Sequence, residues 1–205
     1  MSGPQAAEAT RRGRPRSERA RTAIVAAAAE LLLQHGLAGV TMDAVAERAG
    51  VSKATIYRWW PSKELLAVDA LYDEWAGASP GTGDTGSLRG DLLALLGPWV
   101  RLLGKRPYGR VIAALVTVAQ TDPAFAEEYR ARFVQPRRDQ ARAIFARAVE
   151  RGEIPAVTNV ELALDLLYGP IYHRLLHGHA ALDEHFARDV IGAALDGVVA
   201  SVPAR

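Results

Sequence analysis

The sequence predicts an all-α chain of about nine helices. Three observations carry this. Apolar residues recur at three- and four-residue spacing through most of the length, the period of a helix with one buried face. Helix-starting and helix-stopping residues fall between these stripes. No segment alternates apolar and polar residues over a strand length between turn signals. Of 205 residues, 49% are apolar and 23% charged. That balance supports a packed core and excludes disorder over the whole length.

The elements follow in order. From Glu18 to Gln34, Ile24, Ala28, Leu31 and Leu32 fall on one stripe, and His35-Gly36 supplies a stop. Thr41 caps a short helix ending at Gly50, with Asp43 favourably placed in its first turn. Ser52 caps a second, shorter helix reaching about Trp60. Pro61-Ser62 opens a longer helix carrying Leu65, Leu66, Val68, Leu71 and Trp75. Residues 77–86 hold four glycines and a proline and read as a linker. Ser87–Gly104 and Tyr108–Thr121 are strongly apolar helices. Asp122 and Pro123 start another, running toward Arg151-Gly152 with a break at Pro136. Asn159–His177 and Leu182–Ser201 are the last two, the first kinked at Gly169-Pro170.

The segment from Thr41 to Leu65 carries the functional signal. Gly50 permits the positive φ that ends one helix, and Val51 plugs the angle to the next. This is helix-turn-helix geometry, in which the second helix offers its N-terminal residues to the major groove; a short helix pair by itself equally describes an ordinary helical hairpin with a solvated polar face. That helix is rich in donors: Ser52, Lys53, Thr55, Tyr57, Arg58 and the indole N–H of Trp59. Lys53 suits base acceptors or phosphates, while Tyr57 and Lys63 suit phosphates.

The residues Thr41, Val45, Ala46, Ala49, Gly50, Val51, Ser52, Ala54, Ile56, Tyr57, Trp59, Ser62, Lys63, Glu64 and Leu65 stand at fixed spacing. This pattern resembles the tetracycline-repressor (TetR) family of bacterial regulators, and the likeness extends over residues 18 to about 75. It departs at Ala54, where many members have glycine, and at Trp60, where phenylalanine is usual. The resemblance implies that Thr41, Ser52, Tyr57 and Lys63 contact backbone phosphates. It places Lys53, Ala54, Thr55, Arg58 and Trp59 at base edges, with Val51 at the turn.

Charge supports a polyanion at one end only. Residues 1–60 hold 9 Lys/Arg against 5 Asp/Glu, and residues 61–205 hold 16 against 18. Six arginines lie between Arg11 and Arg21, with Glu18 the only acid among them. Arg12-Gly13-Arg14-Pro15-Arg16 resembles the core of an AT-hook. Either Arg14 and Arg16 enter a narrow minor groove, or the arm adds sequence-independent attraction to phosphates.

Residues 87–205 are too apolar for a tail. The resemblance implies a domain that dimerises, through residues 159–178 and 182–201, and holds a small-molecule inducer. Pocket candidates are Trp99, Val111, Leu115, Phe133, Tyr168, Tyr172 and His173, since rings with polar tips suit a mixed ligand.

Other motifs carry less. Gly81 to Gly86 matches G-x-G-x-x-G without a preceding strand and reads as linker. His173 and His177, at helical spacing with His179 nearby, lack a matching carboxylate and read as structural or exposed, not as a metal site. Cysteine is absent, which removes disulfides, cysteine zinc sites and thiol nucleophiles. No catalytic constellation stands out, no cofactor is implied, and no uncharged apolar run approaches a bilayer span.

The expected organisation is a basic flexible arm (1–17), a three-helix helix-turn-helix domain with its linking helix (18–78), and a helical ligand-binding and dimerisation domain (87–205). The expected function is a cytoplasmic, homodimeric, ligand-responsive repressor on a pseudo-palindromic double-stranded operator. The alternatives are an architectural DNA-binding protein without an effector and a helical small-molecule carrier or enzyme.

Overall fold

A computed structural model describes the backbone of residues 9–78 and 83–200 and the side chains of residues 18–77 and 83–197. Every regular element among them is helical. The order is α1 (Ala9–Gly39), α2 (Met42–Ala49), α3 (Lys53–Tyr57), α4 (Lys63–Ala78), α5 (Leu88–Gly104) and α6 (Arg106–Thr121). It continues with α7 (Pro123–Tyr129), a π turn (Arg130–Val134), α8 (Gln135–Glu150), α9 (Val160–His177) and α10 (Glu184–Ala200). The segments α7, π turn and α8 are continuous, so they form one long helix with a widened turn.

α1 begins at Ala9, well before the expected start at Glu18. The buried stripe marks where a helix packs, whereas the backbone stays helical beyond it, through Gly13 and Pro15, despite the low helix propensity of both residues. The expected stop is present: Gly36 breaks α1 with φ 68° and ψ 175°. Between Glu18 and Gly39 the helix is long and apolar enough to cross a membrane by length and composition. Its apolar face is the core of the N-terminal domain: Ile24, Val25, Ala28, Leu31 and Leu32 are buried, and α1 packs on α2, α4 and α6.

The π turn replaces the expected break at Pro136. Proline has no N–H and its ring crowds the carbonyl four residues back. The chain widens just before it, with the Gln135 N–H bonded to the Arg130 carbonyl. α9, in contrast, runs through Pro170 without interruption.

One apolar cluster runs from Ile24 to Ala194 and spans both domains. α4 is the shared wall. It buries Leu65, Leu66, Val68, Leu71 and Trp75, each leucine contributing about 1.5–3 kcal/mol by area removed from water. The buried Tyr108 hydroxyl of α6 donates to the Leu71 carbonyl of α4 at 2.9 Å, and burial pushes its pKa up. Near the linker, Asp91 has no solvent exposure. Its carboxylate accepts from the Thr85 N–H and hydroxyl at 2.7 Å each and from Arg147 at 3.2 Å. These contacts fasten the start of α5 to the end of α8. Gly104 permits a close crossing: a Cβ there would lie 2.2 Å from the Leu182 carbonyl oxygen.

Candidate functional site

The turn between α2 and α3 is built by its caps. Thr41 accepts the Ala44 N–H at 3.2 Å and starts α2. Gly50 ends it at φ 65°, a left-handed conformation that costs most residues energy. The Gly50 and Val51 N–H groups return to the Glu47 and Ala46 carbonyls at 3.2 and 3.0 Å. Ser52 then caps α3 by accepting the Thr55 N–H at 3.2 Å, and its hydroxyl lies 2.8 Å from that of Thr55. Ile56 and Trp60 are buried and seat α3 on the core. This leaves Ser52, Lys53, Ala54, Tyr57 and Arg58 exposed, with Val51 and Thr55 half-buried.

The donors on this face differ in availability. Arg58 is exposed, and Tyr57 is 48% exposed. The Lys53 ammonium lies 2.8 Å from the Asp43 carboxylate, whose hydrogen bond pushes its pKa up. Lys63 donates to the Leu37 and Val40 carbonyls at 3.2 and 3.3 Å, tying α4 to the end of α1 and the residue that follows it. An ammonium carries three N–H groups, so one remains for a phosphate. The indole N–H of Trp59 is buried with no acceptor.

A second site lies between the π turn, α8 and α9. A cavity of about 380 Å³ is lined by Val134, Arg137, Arg138, Asp165, Tyr168, Gly169 and Tyr172. That volume is within the small-ligand range. Arg137 is 3% exposed. Its Nε donates to the Phe133 carbonyl at 2.9 Å and its Nη2 to the Tyr172 hydroxyl at 3.1 Å, while Nη1 is buried without an acceptor. The guanidinium lies 3.8 Å from the Phe133 ring centroid and 4.4 Å from that of Trp99. Trp99 in turn meets Tyr168 and Tyr172 at centroid distances of 5.6 and 5.8 Å. Burial pushes the Tyr168 hydroxyl up to about 12, so it stays protonated and donates to the Arg137 carbonyl at 3.1 Å.

The two sites match known domains. The family model described as bacterial regulatory proteins, tetR family, matches residues 24–70. The model described as tetracyclin repressor-like, C-terminal domain, matches residues 82–194. The chain belongs to the TetR family of bacterial transcriptional regulators. The HTH-type transcriptional regulator YdeS of Bacillus subtilis is 41% identical over 192 residues, covering 94% of this chain and 96% of the relative. The DNA-binding transcriptional repressor TetR of Mycobacteroides abscessus is 32% identical, covering 90% and 94%. The crystal structure of the TetR family transcription regulator SCO0332 aligns at TM-score 0.77 with 38% identity, covering 87% of this chain and 98% of that one. As a TetR-family member the protein is a DNA-binding transcriptional regulator, and the family is not one of enzymes.

Within this TetR-family frame the expected residues divide. Thr41, Val51, Ser52, Lys53, Ala54, Thr55, Tyr57, Arg58 and Lys63 gather along the exposed side of α2–α3 and its junction with α4. Trp59 is the correction in this group: its ring packs on the core, so the N–H expected at a base edge faces inward. The side chains of Arg14 and Arg16 lie outside the described residues. Of the pocket candidates, Tyr168 and Tyr172 line the cavity, and Trp99 and Phe133 pack on the arginine that lines it. Val111 and Leu115 are fully buried core residues and are absent from the cavity lining. His173 is exposed, with its ring tilted against that of His177 and edge-on to that of His179, at centroid distances of 4.7 and 5.1 Å. Among the described residues no three histidine, cysteine or acidic side chains gather as a metal site. Arg137 was missed because arginine usually marks the solvated face of a helix. The signal was its register: it falls on the inner stripe formed by Phe133, Ala141, Ile144 and Ala148.

Proposed function

We propose that this regulator is a cytoplasmic, ligand-responsive repressor that binds a pseudo-palindromic operator as a homodimer. The observation that carries the reading is the capped turn that presents the exposed face of α3. In the bound state Arg58, Lys53, Ala54 and Thr55 meet base edges, and Thr41, Ser52, Tyr57 and Lys63 meet phosphates. Arg14 and Arg16 add affinity from the arm. The 32% identity to a relative named as a repressor supports the sign of regulation.

The dimer forms through α9 and α10. Leu162 and Leu166 are 46% and 40% exposed, one helical turn apart on α9. Beside them a largely apolar groove is lined by Leu166, Pro170, Phe186, Val190, Ala193 and Ala194, with Asp189 the one charged residue. A self-complementary apolar face of this kind suits an isologous four-helix interface.

The ligand site is the Arg137 cavity, and its occupancy is relayed through the π turn. Phe133 accepts from Arg137, and Arg132 beside it pairs with Asp69 of α4 at 3.5 Å. The same Asp69 oxygen accepts the Trp60 indole N–H at 2.8 Å and faces Arg21 at 3.9 Å. A shift of the π turn therefore reaches the residue that seats α3. Two heads must match a groove spacing of about 34–36 Å, so a small pivot lowers affinity greatly. Selection of duplexes from a random pool tests the reading. Two-fold-related half-sites one helical turn apart, or a multiple of it, are expected. Enrichment without such symmetry would contradict it.

A further inference from the structure

We propose that the effector is a planar aromatic carboxylate and that Arg137 takes its carboxylate group. This rests on the ligand-responsive reading above and names the chemistry of its ligand.

The argument begins from an unbalanced charge. A guanidinium is ionised at all physiological pH, and burying it costs heavily unless an anion and acceptors compensate. Arg137 is almost wholly enclosed, yet among the described residues no carboxylate pairs with it. Its two hydrogen bonds go to neutral oxygens, a carbonyl and a phenol. Nη1 has no acceptor at all, and the indole N–H groups of Trp75 and Trp99, the two tryptophans beside the guanidinium, are also buried without one. Cation–π contacts with Phe133 and Trp99 hold the group in place without neutralising it.

The acid nearest the cavity does not serve. Asp165 lines its wall but is held by Arg138 at 2.8 Å, and Arg138 also binds Glu161 at 2.7 Å. Arg138 thus keeps both acids engaged and offsets the charge of Asp165 in the lining, which leaves Arg137 as the lining charge without a counter-ion. Nη1 retains both N–H groups and Nη2 retains one, and Nη1 is sealed from solvent, so a carboxylate engages them only as the guanidinium turns toward the cavity that Arg137 lines. The rest of the lining includes Tyr168, Tyr172, Val134 and Gly169, which suits a flat apolar body. The same arginine binds the Phe133 carbonyl inside the π turn, so neutralising it acts directly on the segment that carries Arg132.

The test is calorimetric titration of the ligand-free full chain with matched acid and amide pairs: benzoate and benzamide, 2-naphthoate and 2-naphthamide, biphenyl-4-carboxylate and its amide. The acid of at least one pair is expected to bind about tenfold or more tighter than its amide. Arg137→Met is expected to erase that preference, so that the acid and the amide of each pair bind alike. Arg137→Lys, which keeps the charge without the fork, is the second variant should the first not fold, and it is expected to weaken the preference. Equal affinity for acid and amide in every pair, no binding of any acid, or a preference that survives Arg137→Met or is undiminished in Arg137→Lys would each overturn the proposal. Operator binding by the same ligand-free preparation is measured separately. Its loss would sink the regulator reading, whereas its presence without acid preference would sink only the anion assignment.

Discussion

Asp91 is sealed from solvent and still holds a charge. Burial alone pushes its pKa up, but the Thr85 hydrogen bonds and the Arg147 contact outweigh it and leave the carboxyl below its ordinary value of 3.8. A depressed carboxylate stabilises the fold fully above the unfolded value and loses that contribution as pH falls through the folded one. Asp91→Asn is therefore expected to cost about 2 kcal/mol at neutral pH, a melting point lower by about 4–8 °C. The gap between variant and wild type should narrow as pH falls below 3.8. Thermal melts across that range check it, and a gap constant in pH would contradict it. At this scale the sequence was legible for residue type and caps but not for partners. Thr41, Gly50 and Ser52 announce their roles because caps are local. The engagement of Lys53 with Asp43 and of Lys63 with the end of α1 depends on tertiary placement, and the Trp59 ring turns inward because the core takes it.

The elements were legible wherever one buried stripe met clear caps, as in α2, α5 and α9. The π turn was not, because Pro136 signals a disturbance without saying which kind. Its position gives it consequence. Arg132 reaches Asp69 from the π turn, and Asp69 holds Trp60. Arg132→Ala is expected to cost about 0.5–1 kcal/mol, since the pair is partly exposed. It should also speed amide exchange across residues 60–70 while leaving α9 and α10 unchanged. Hydrogen exchange followed by mass spectrometry reads both. Unchanged exchange in 60–70 would separate the π turn from the DNA-binding domain.

The whole molecule is a DNA-reading head and a helical body joined by one core; the class was legible from helical periodicity, and the family from the resemblance of the residues between Thr41 and Leu65 to a known pattern. The cavity was not, because it is a void between α8, α9 and the π turn that no single stretch of chain encodes. The proposed dimer belongs to this scale. Leu166→Glu places a charge in the α9–α10 face and is expected to yield a folded monomer by sedimentation, with operator affinity down on the order of a hundredfold or more as the linked second half-site is lost. A dimer that persists would move the interface elsewhere.

The most direct test of operator reading is fluorescence anisotropy on the DNA upstream of the protein's own gene, at physiological salt, against a scrambled duplex of equal length and composition. Binding about a thousandfold tighter to the native duplex is predicted. Equal, steeply salt-dependent binding to both would contradict operator reading at that site and favour an architectural protein held by phosphates alone.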